Sequence, residues 1–217
     1  HVNMVDQESS TPKRLPAAER REQMLSAASI VFGERGYAGT TTDAIAKEAG
    51  VSQAYIVRTF GSKESLFVEA ATRSVDKTIE VFRAAARDND DLTTLPRHLG
   101  HAYVELVADR GILLTMMHLF TMGHHERFGK LAREEFARIY RVLHHELGLT
   151  AQKTEKILAR GMLINAILGM RLTDVIDTDP DVEELLSCTF ADEAHIVADL
   201  ISGYEPLPPA ARGRTSS

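Results

Sequence analysis

Side chains that can bind a polyanion are concentrated in one stretch near the N-terminus, VSQAYIVRTFGSK, which covers residues 51–63. Gln53 can form paired hydrogen bonds with adenine, and Arg58 can pair with guanine or with a phosphate. Tyr55 can pack on a thymine methyl group or reach a phosphate, and the small Ala54 permits close approach to a groove. This chemistry requires the side chains to share one exposed face of a short element.

A second group of residues lies where helices are expected to begin, and helix N-termini favour anions because their first N–H groups are free. Thr41 and Thr42 precede one such helix, and Ser52 precedes the next. Lys63 stands at the start of a third helix, where its ammonium could meet a phosphate. The predicted polyanion-binding set is Thr41, Thr42, Ser52, Gln53, Ala54, Tyr55, Arg58, Thr59 and Lys63.

Hydrophobic spacing and capping residues predict the helices that would carry this set. A first helix over Pro16–Arg35 keeps its apolar residues on one stripe. Two short helices follow, Asp43–Ala49 and Gln53–Thr59, joined by a glycine-containing turn. In the second of them Ile56 and Phe60 face inward, which leaves the polar residues outside. This arrangement is the signature of a helix-turn-helix.

The hydrophobic pattern predicts helices in the rest of the chain as well. No segment shows the alternation of apolar and polar residues that is typical of a strand, so the predicted fold class is all-α. The predicted later helices are Lys63–Arg87, Leu92–Asp109, Gly111–Met122, Glu126–Leu147, Ala151–Thr173 and Val182–Ser202. The predicted division is a flexible arm over 1–15, a helix-turn-helix unit over 16–61, a larger helical unit over 62–204 and a disordered tail over 205–217.

Composition and charge are consistent with a nucleic-acid-binding module on a helical body. The chain has 217 residues and 44% hydrophobic content, enough for one domain or two small ones. Its net charge is −6, yet residues 12–63 carry eight bases and five acids, against 17 bases and 26 acids elsewhere. With a single cysteine, Cys188, and no apolar segment typical of a secretory signal or a membrane span, we expect a cytoplasmic protein.

The segment GYAGTTTDAIAKEAGVSQAYIVRTFGSKESLF resembles the DNA-binding region of the tetracycline-repressor (TetR) family of transcription regulators. The matching positions are Gly36-Tyr37, Thr40-Thr41, Ile45-Ala46, Ala49-Gly50-Val51-Ser52, Phe60, Lys63-Glu64 and Leu66. The sequence departs from the family pattern at Val57, where the family usually has a tyrosine, and carries an aromatic residue at Tyr55 instead.

The resemblance implies a three-helix DNA-binding domain followed by a larger helical domain that binds a ligand and dimerises. The expected partners are palindromic double-stranded DNA, a small-molecule effector and a second copy of the chain. We expect the protein to act as a repressor that the effector releases from DNA, with the long fourth helix connecting the two sites.

Two C-terminal helices carry a pattern suited to a homodimer interface. Gly161, Asn165 and Gly169 lie four residues apart beside apolar side chains, and small residues let helices approach closely. The alternative is that these faces pack within one subunit. The predicted interface residues are Leu158, Gly161, Met162, Asn165, Gly169, Leu186, Phe190 and Val197.

The methionine-rich stretch GILLTMMHLFTMGHH predicts an adaptable apolar cavity for the effector. The predicted lining residues are Phe82, His101, Tyr103, Met116, Met117 and Phe120. The alternative for each of them is a place in an ordinary hydrophobic core.

Histidine spacing leaves a metal-responsive regulator as an alternative, because His98, His101 and Glu105 share one helix face. No His-Glu-x-x-His motif and no cysteine pair accompanies them, so we expect neither a metal nor a cofactor. The sequence also lacks a glycine-rich phosphate loop, a nucleophile elbow and paired carboxylates, which argues against an enzyme. A regulator without a small-molecule effector is the second alternative.

Overall fold

The computed structural model describes residues 16–89 and 91–190, and every regular element within them is a helix. The α-helices are α1 (Ala17–Gly39), α2 (Thr42–Ala49), α3 (Gln53–Phe60), α4 (Lys63–Arg87), α5 (Leu95–Val107), α6 (Arg110–Thr121), α7 (Glu126–Arg141), α8 (Ala151–Gly169) and α9 (Pro180–Thr189). A π-helical turn, Val142–Glu146, extends α7, and a 3₁₀ turn, Leu172–Val175, follows α8. The all-α fold class is confirmed. Among the described helices, none combines the length and apolar character needed to cross a bilayer.

In the N-terminal half, two helix ends differ from their predicted positions for local reasons. Gly36 interrupts α1 as expected, with φ +66°, but a further helical turn carries the helix to Gly39. The fifth helix begins at Leu95, later than predicted. The side chain of Asp91 accepts a hydrogen bond from the backbone N–H of Thr93 (2.8 Å), and this bond holds the preceding residues in a turn.

In the C-terminal half, α7 and α8 end earlier than predicted, and the last helix begins two residues earlier than predicted. The α-helical part of α7 ends at Arg141, where the π-helical turn takes over. Helix α8 ends about one turn early, at Gly169, and the chain reverses direction at Arg171 with φ +57°. The last predicted helix begins at Pro180 and is capped by Asp179, while its portion beyond residue 190 lies outside the described residues.

Two hydrophobic cores organise the molecule, and α4 belongs to both of them. The first core packs Phe32 of α1, Ile45 of α2 and Phe67 of α4. The second core includes Ile79 and Phe82 of α4 together with residues of α5, α6, α7, α8 and α9. One continuous helix therefore connects the two cores.

Helix α6 forms a second connection by docking closely on α1. A Cβ added to Gly111 would lie 3.0 Å from the backbone nitrogen of Ile30, a tight contact that a larger residue would relieve only by moving α6 away from α1. Gly33 faces α6 with similar closeness. The hydroxyl of Thr115 donates a hydrogen bond to the carbonyl of Ser29 (2.9 Å), which fixes the relative position of the two helices.

Candidate nucleic-acid interface and ligand cavity

Capping residues set the geometry of the α2–turn–α3 unit, as the sequence predicted. The Thr41 hydroxyl accepts a hydrogen bond from the N–H of Ala44 (3.1 Å), and the Ser52 hydroxyl accepts one from the N–H of Tyr55 (3.2 Å). Gly50 occupies the left-handed region with φ +66°, which closes the turn between the helices. Both short helices are therefore held at defined starting points.

Helix α3 buries one face and exposes the other. Ile56 and Phe60 are buried in the first core. Gln53, Ala54 and Arg58 are exposed on the opposite side, as predicted. A recognition helix that enters a major groove presents an exposed polar face of this kind.

The carboxamide of Gln53 is oriented by a contact with the preceding helix. Its Nε2 donates a hydrogen bond to the Thr42 hydroxyl oxygen (2.9 Å), which links α2 to α3. One Nε2 hydrogen and the Oε1 oxygen remain for a base, and these two atoms make the paired contact with adenine. The contact itself stays a prediction, but the side chain is held in place before any DNA arrives.

Arg58 and Tyr55 form a local pair on the same helix. The Arg58 guanidinium carbon lies 5.0 Å from the centre of the Tyr55 ring, within the range of a cation–π interaction. The Thr59 hydroxyl donates to the Tyr55 carbonyl (2.7 Å) and so turns back toward its own helix. Val57, where the family usually has a tyrosine, is 43% exposed and adds an apolar surface to this face.

Lys63 has a structural role that the sequence did not reveal. Its ammonium donates hydrogen bonds to the carbonyls of Tyr37 and Thr40, both at 3.0 Å, and lies 4.4 Å from the centre of the Tyr37 ring. Two of its three N–H groups thus anchor the α1–α2 connection to the start of α4. Contact with a phosphate through the third N–H stays a prediction.

A cavity of about 60 Å³ lies in the second core, between α4, α5, α6, α7 and α8. Its lining is almost entirely apolar, with Phe82 from α4, Met116 from α6 and Ile139 from α7. A shallower groove of about 610 Å³ adjoins it, and the two spaces share Phe120, Phe136 and a methionine of α8.

The principal polar feature of the cavity joins α5 to α8. The hydroxyl of Tyr103 donates a hydrogen bond to Asn165 Oδ1 (2.7 Å), and the two side chains are 7% and 2% exposed. Burial raises the pKa of Tyr103 well above its ordinary value, so the phenol keeps its proton. The pair is a neutral hydrogen-bonded unit in an apolar wall.

Four predicted cavity residues line the cavity and two do not. Phe82, Tyr103, Met116 and Phe120 form part of the wall. His101 instead points outward and pairs with Glu105 (3.4 Å). Met117 packs beside Gly169 on α8 rather than toward the cavity.

Four of the predicted interface residues on α8 line the cavity, namely Leu158, Gly161, Met162 and Asn165. Met162 is nevertheless 41% exposed, and Gly169 faces Met117 of α6. Asn165 was expected at a subunit contact, but its side chain is buried against Tyr103. Leu186 and Phe190 are likewise corrected, because both pack inside the second core. Val197 lies outside the described residues.

Sequence reasoning missed Thr78 and Phe136 as cavity residues. Thr78 had a detectable signal, because it is a polar residue between Val75, Ile79 and Phe82 on the buried face of α4. Phe136 had none, since its neighbours on α7 are mostly charged.

The predicted metal alternative gains no support from the geometry. Within residues 16–89 and 91–190, no three His, Cys, Asp or Glu side chains come together as a set that could hold a metal ion. His101 pairs with Glu105 on an exposed face, and within the described residues His98 does not complete a metal site with them.

Comparison with known proteins gives matches to the α1–α4 region and a match that covers most of the chain. A family model described as bacterial regulatory proteins, tetR family, matches residues 24–70. The HTH-type transcriptional activator FasR of Mycolicibacterium smegmatis is 44% identical over 78 residues, and this match spans only 36% of either chain. The HTH-type transcriptional dual regulator CecR of Shigella flexneri is 30% identical over 173 residues, which cover 71% of this chain and 76% of CecR.

A solved structure shows that the helical arrangement is shared as well. The crystal structure of a TetR-like transcriptional regulator from Rhodococcus sp. RHA1 superposes with a TM-score of 0.58 at 23% identity, covering 83% of this chain and 99% of that one. The family match lies on the helix-turn-helix, and the similarity to CecR extends across both cores. The chain therefore belongs to the TetR family of helix-turn-helix transcription regulators.

Proposed function

We propose that the protein is a homodimer that binds palindromic double-stranded DNA and releases it when a small apolar molecule enters the cavity. The observation that carries this proposal is that the cavity wall includes α4 and α6. Both helices also pack against the helix-turn-helix unit. Such a regulator would act as a repressor in the cytoplasm.

The DNA-binding half of the proposal depends on the exposed face of α3. Gln53 would read a base through its held carboxamide, and Arg58 would contact a base or a phosphate. The first-turn N–H groups behind Thr41 would meet backbone phosphates. With one recognition helix in each subunit, two-fold symmetry matches a palindromic site.

The dimer would form through a face of α8 other than the one first predicted. Ala159, Leu163, Ala166 and Met170 follow one another at spacings of four, three and four residues, so they share a stripe. Leu163 is 41% exposed and Met170 is 64% exposed. An exposed apolar stripe with small residues between large ones is suited to close packing against a second copy.

Coupling between the two sites would run through α4 and α6. A ligand in the cavity touches Phe82 of α4 and Met116 of α6. Helix α4 also packs in the first core, and α6 also packs against α1. The ligand releases DNA only if it binds more tightly to the conformation whose recognition helices do not fit the DNA.

The test uses a duplex recovered from random DNA by binding to the full-length protein. Analytical ultracentrifugation should give two protein chains per duplex. Fluorescence anisotropy of the labelled duplex should then fall when neutral apolar compounds are added, and compounds that bind the protein should be those that release the DNA. One chain per duplex would contradict the dimer, and binding of compounds without release would contradict the coupling.

A further inference from the structure

The cavity contains few polar side chains, and most of them are already engaged. The Thr78 hydroxyl donates to the carbonyl of Ser74 (3.0 Å), and Arg160 Nη2 donates to the carbonyl of Thr189 (2.8 Å). The Tyr103 hydroxyl donates to Asn165. The carboxamide nitrogen of Asn165 is the exception that can select a ligand.

The orientation of the Asn165 carboxamide follows from the needs of Tyr103. The buried phenol must place its hydrogen on an acceptor, and Asn165 Oδ1 is the one it reaches among the described residues. If the amide were turned round, Nδ2 would donate to the phenol oxygen and the phenol hydrogen would have no acceptor there. Oδ1 therefore faces Tyr103 and Nδ2 faces away from it.

No side chain or carbonyl of the described residues accepts a hydrogen bond from Asn165 Nδ2. Nδ2 is not among the side-chain atoms that are both inaccessible to solvent and without a hydrogen-bond partner, and Asn165 lines the cavity. The nitrogen is therefore accessible from the cavity. A buried N–H donor without an acceptor is unfavourable, and a ligand that supplies an acceptor removes this cost. The site consequently distinguishes a ligand oxygen from a methylene group at this position.

The wall also favours a neutral ligand. Among the described residues, no Asp, Glu, Lys or His side chain lines the cavity, and a charge placed there would lose its hydration without a partner. The one charged lining residue in this part of the chain is Arg160, whose side chain is exposed and bonded to the α9 carbonyl.

The size of the cavity requires a ligand to reach into the adjoining groove. A volume of about 60 Å³ holds only the end of a molecule. The boundary with the groove is formed by Phe120 and Phe136, whose rings meet edge to face at 5.4 Å, and by Met162. A longer ligand would part these rings and lie along Ala132 and Ala137 of α7.

We propose that the cavity takes a neutral, elongated apolar molecule whose buried end carries a carbonyl-type oxygen that accepts a hydrogen bond from Asn165. This inference depends on the proposed effector cavity but concerns the chemistry of binding alone. It is therefore tested by binding, separately from the release of DNA.

The experiment measures displacement of the neutral fluorophore N-phenyl-1-naphthylamine from the full-length protein. Undecan-2-one, undecane and undecanoate are compared as competitors of equal chain length. The ketone should compete at least about tenfold better than the alkane, the size expected for satisfying one buried donor. Undecanoate should compete more weakly than the ketone.

Two variants assign the preference to the carboxamide. Asn165→Leu is made together with Tyr103→Phe, because Asn165→Leu alone would leave the phenol hydrogen free to bond the ketone. The double variant should abolish the ketone's advantage over undecane while keeping the affinity for the fluorophore. Tyr103→Phe alone frees the carboxamide to turn, so it should reduce the same advantage even if the double variant does not fold. Circular dichroism and thermal unfolding of each variant verify that the compared proteins are folded.

The outcomes separate this inference from the proposed function. Equal binding of ketone and alkane, or an unchanged ketone preference in the folded Tyr103→Phe/Asn165→Leu double variant, would overturn the inference even if apolar compounds release DNA. Preferred binding of undecanoate that is lost in Arg160→Gln would overturn it in favour of an anionic ligand. A ketone preference that depends on Asn165 without DNA release would support the inference and contradict the proposed function. Failure of the fluorophore and all competitors to bind would overturn both.

Discussion

Replacing Lys63 by methionine tests whether this residue anchors the α1–α2 connection or only binds a DNA phosphate. The substitution keeps the apolar stem and removes the ammonium that bonds the carbonyls of Tyr37 and Thr40. Two charge-assisted hydrogen bonds in a half-buried position and one cation–π contact are together worth roughly 2–3 kcal/mol. For a chain of this size we expect the Tm to fall by roughly 5–10 °C.

The assay is thermal unfolding followed by far-UV circular dichroism, with Lys47→Met as the matched control. The Lys47 side chain is 78% exposed and pairs only with Asp43, one turn away on α2, so its loss should cost less than about 0.5 kcal/mol. If Lys63 acted only on phosphate, Lys63→Met would leave the Tm unchanged and reduce the salt slope of DNA binding by about one. That result would refute the anchoring role derived from the structure.

Three further substitutions test other parts of the account. Arg58→Ala should weaken DNA binding: a changed sequence preference would identify a base contact, and a uniform loss with a shallower salt slope would identify a phosphate contact. Glu22→Gln removes a carboxylate whose pKa is lowered by its hydrogen bond to Arg73, so it should lower the Tm at neutral pH. That difference should shrink as the pH falls below the carboxylate's ordinary value of 4.5, because the wild-type stabilisation is lost as Glu22 takes up a proton. Gly111→Ala places a Cβ 3.0 Å from the backbone of Ile30 and should cost about 1–3 kcal/mol by separating α6 from α1, measured as a lower Tm.

Each of these variants has a control elsewhere in the chain. Arg87→Ala makes the same charge change at the far end of α4 and should leave sequence preference intact. Glu48→Gln removes an exposed carboxylate of α2 and should not change the acid dependence of the Tm. Gly123→Ala adds a Cβ with no atom within 4 Å and should be neutral. If a control changed DNA binding or the Tm as much as its paired variant, the specific role assigned to Arg58, Glu22 or Gly111 would be wrong.

The DNA-binding unit was largely predictable because its signals are local. Thr41, Ser52 and Ser62 stand where helices begin, and each accepts a hydrogen bond from an N–H three residues later. Gly50 marks the turn by itself, since its left-handed conformation suits glycine. The anchor made by Lys63 was not predictable, because its acceptors lie 23 and 26 residues earlier in the chain.

The C-terminal part was less predictable because periodicity shows which residues share a face but not what covers that face. Gly161, Asn165 and Gly169 do lie on one face of α8, as their spacing predicted. At Asn165 that face is covered by Tyr103 of α5, so it is not available to a second subunit. The exposed stripe with Leu163 and Met170 lies on a different side of α8. Only the packing of α5 against α8 distinguishes the two faces, and nothing in the local sequence encodes it.

In the proposed regulator, α3 reads a specific DNA sequence as part of a dimer. The most direct test is selection of bound sequences from a random double-stranded pool by the full-length protein, repeated at two salt concentrations. The account predicts recovery of a palindrome with half-sites about one helical turn or more apart, retained at the higher salt. Weak binding without a recovered sequence, lost as the salt rises, would mean that the protein only touches phosphates and would contradict the account.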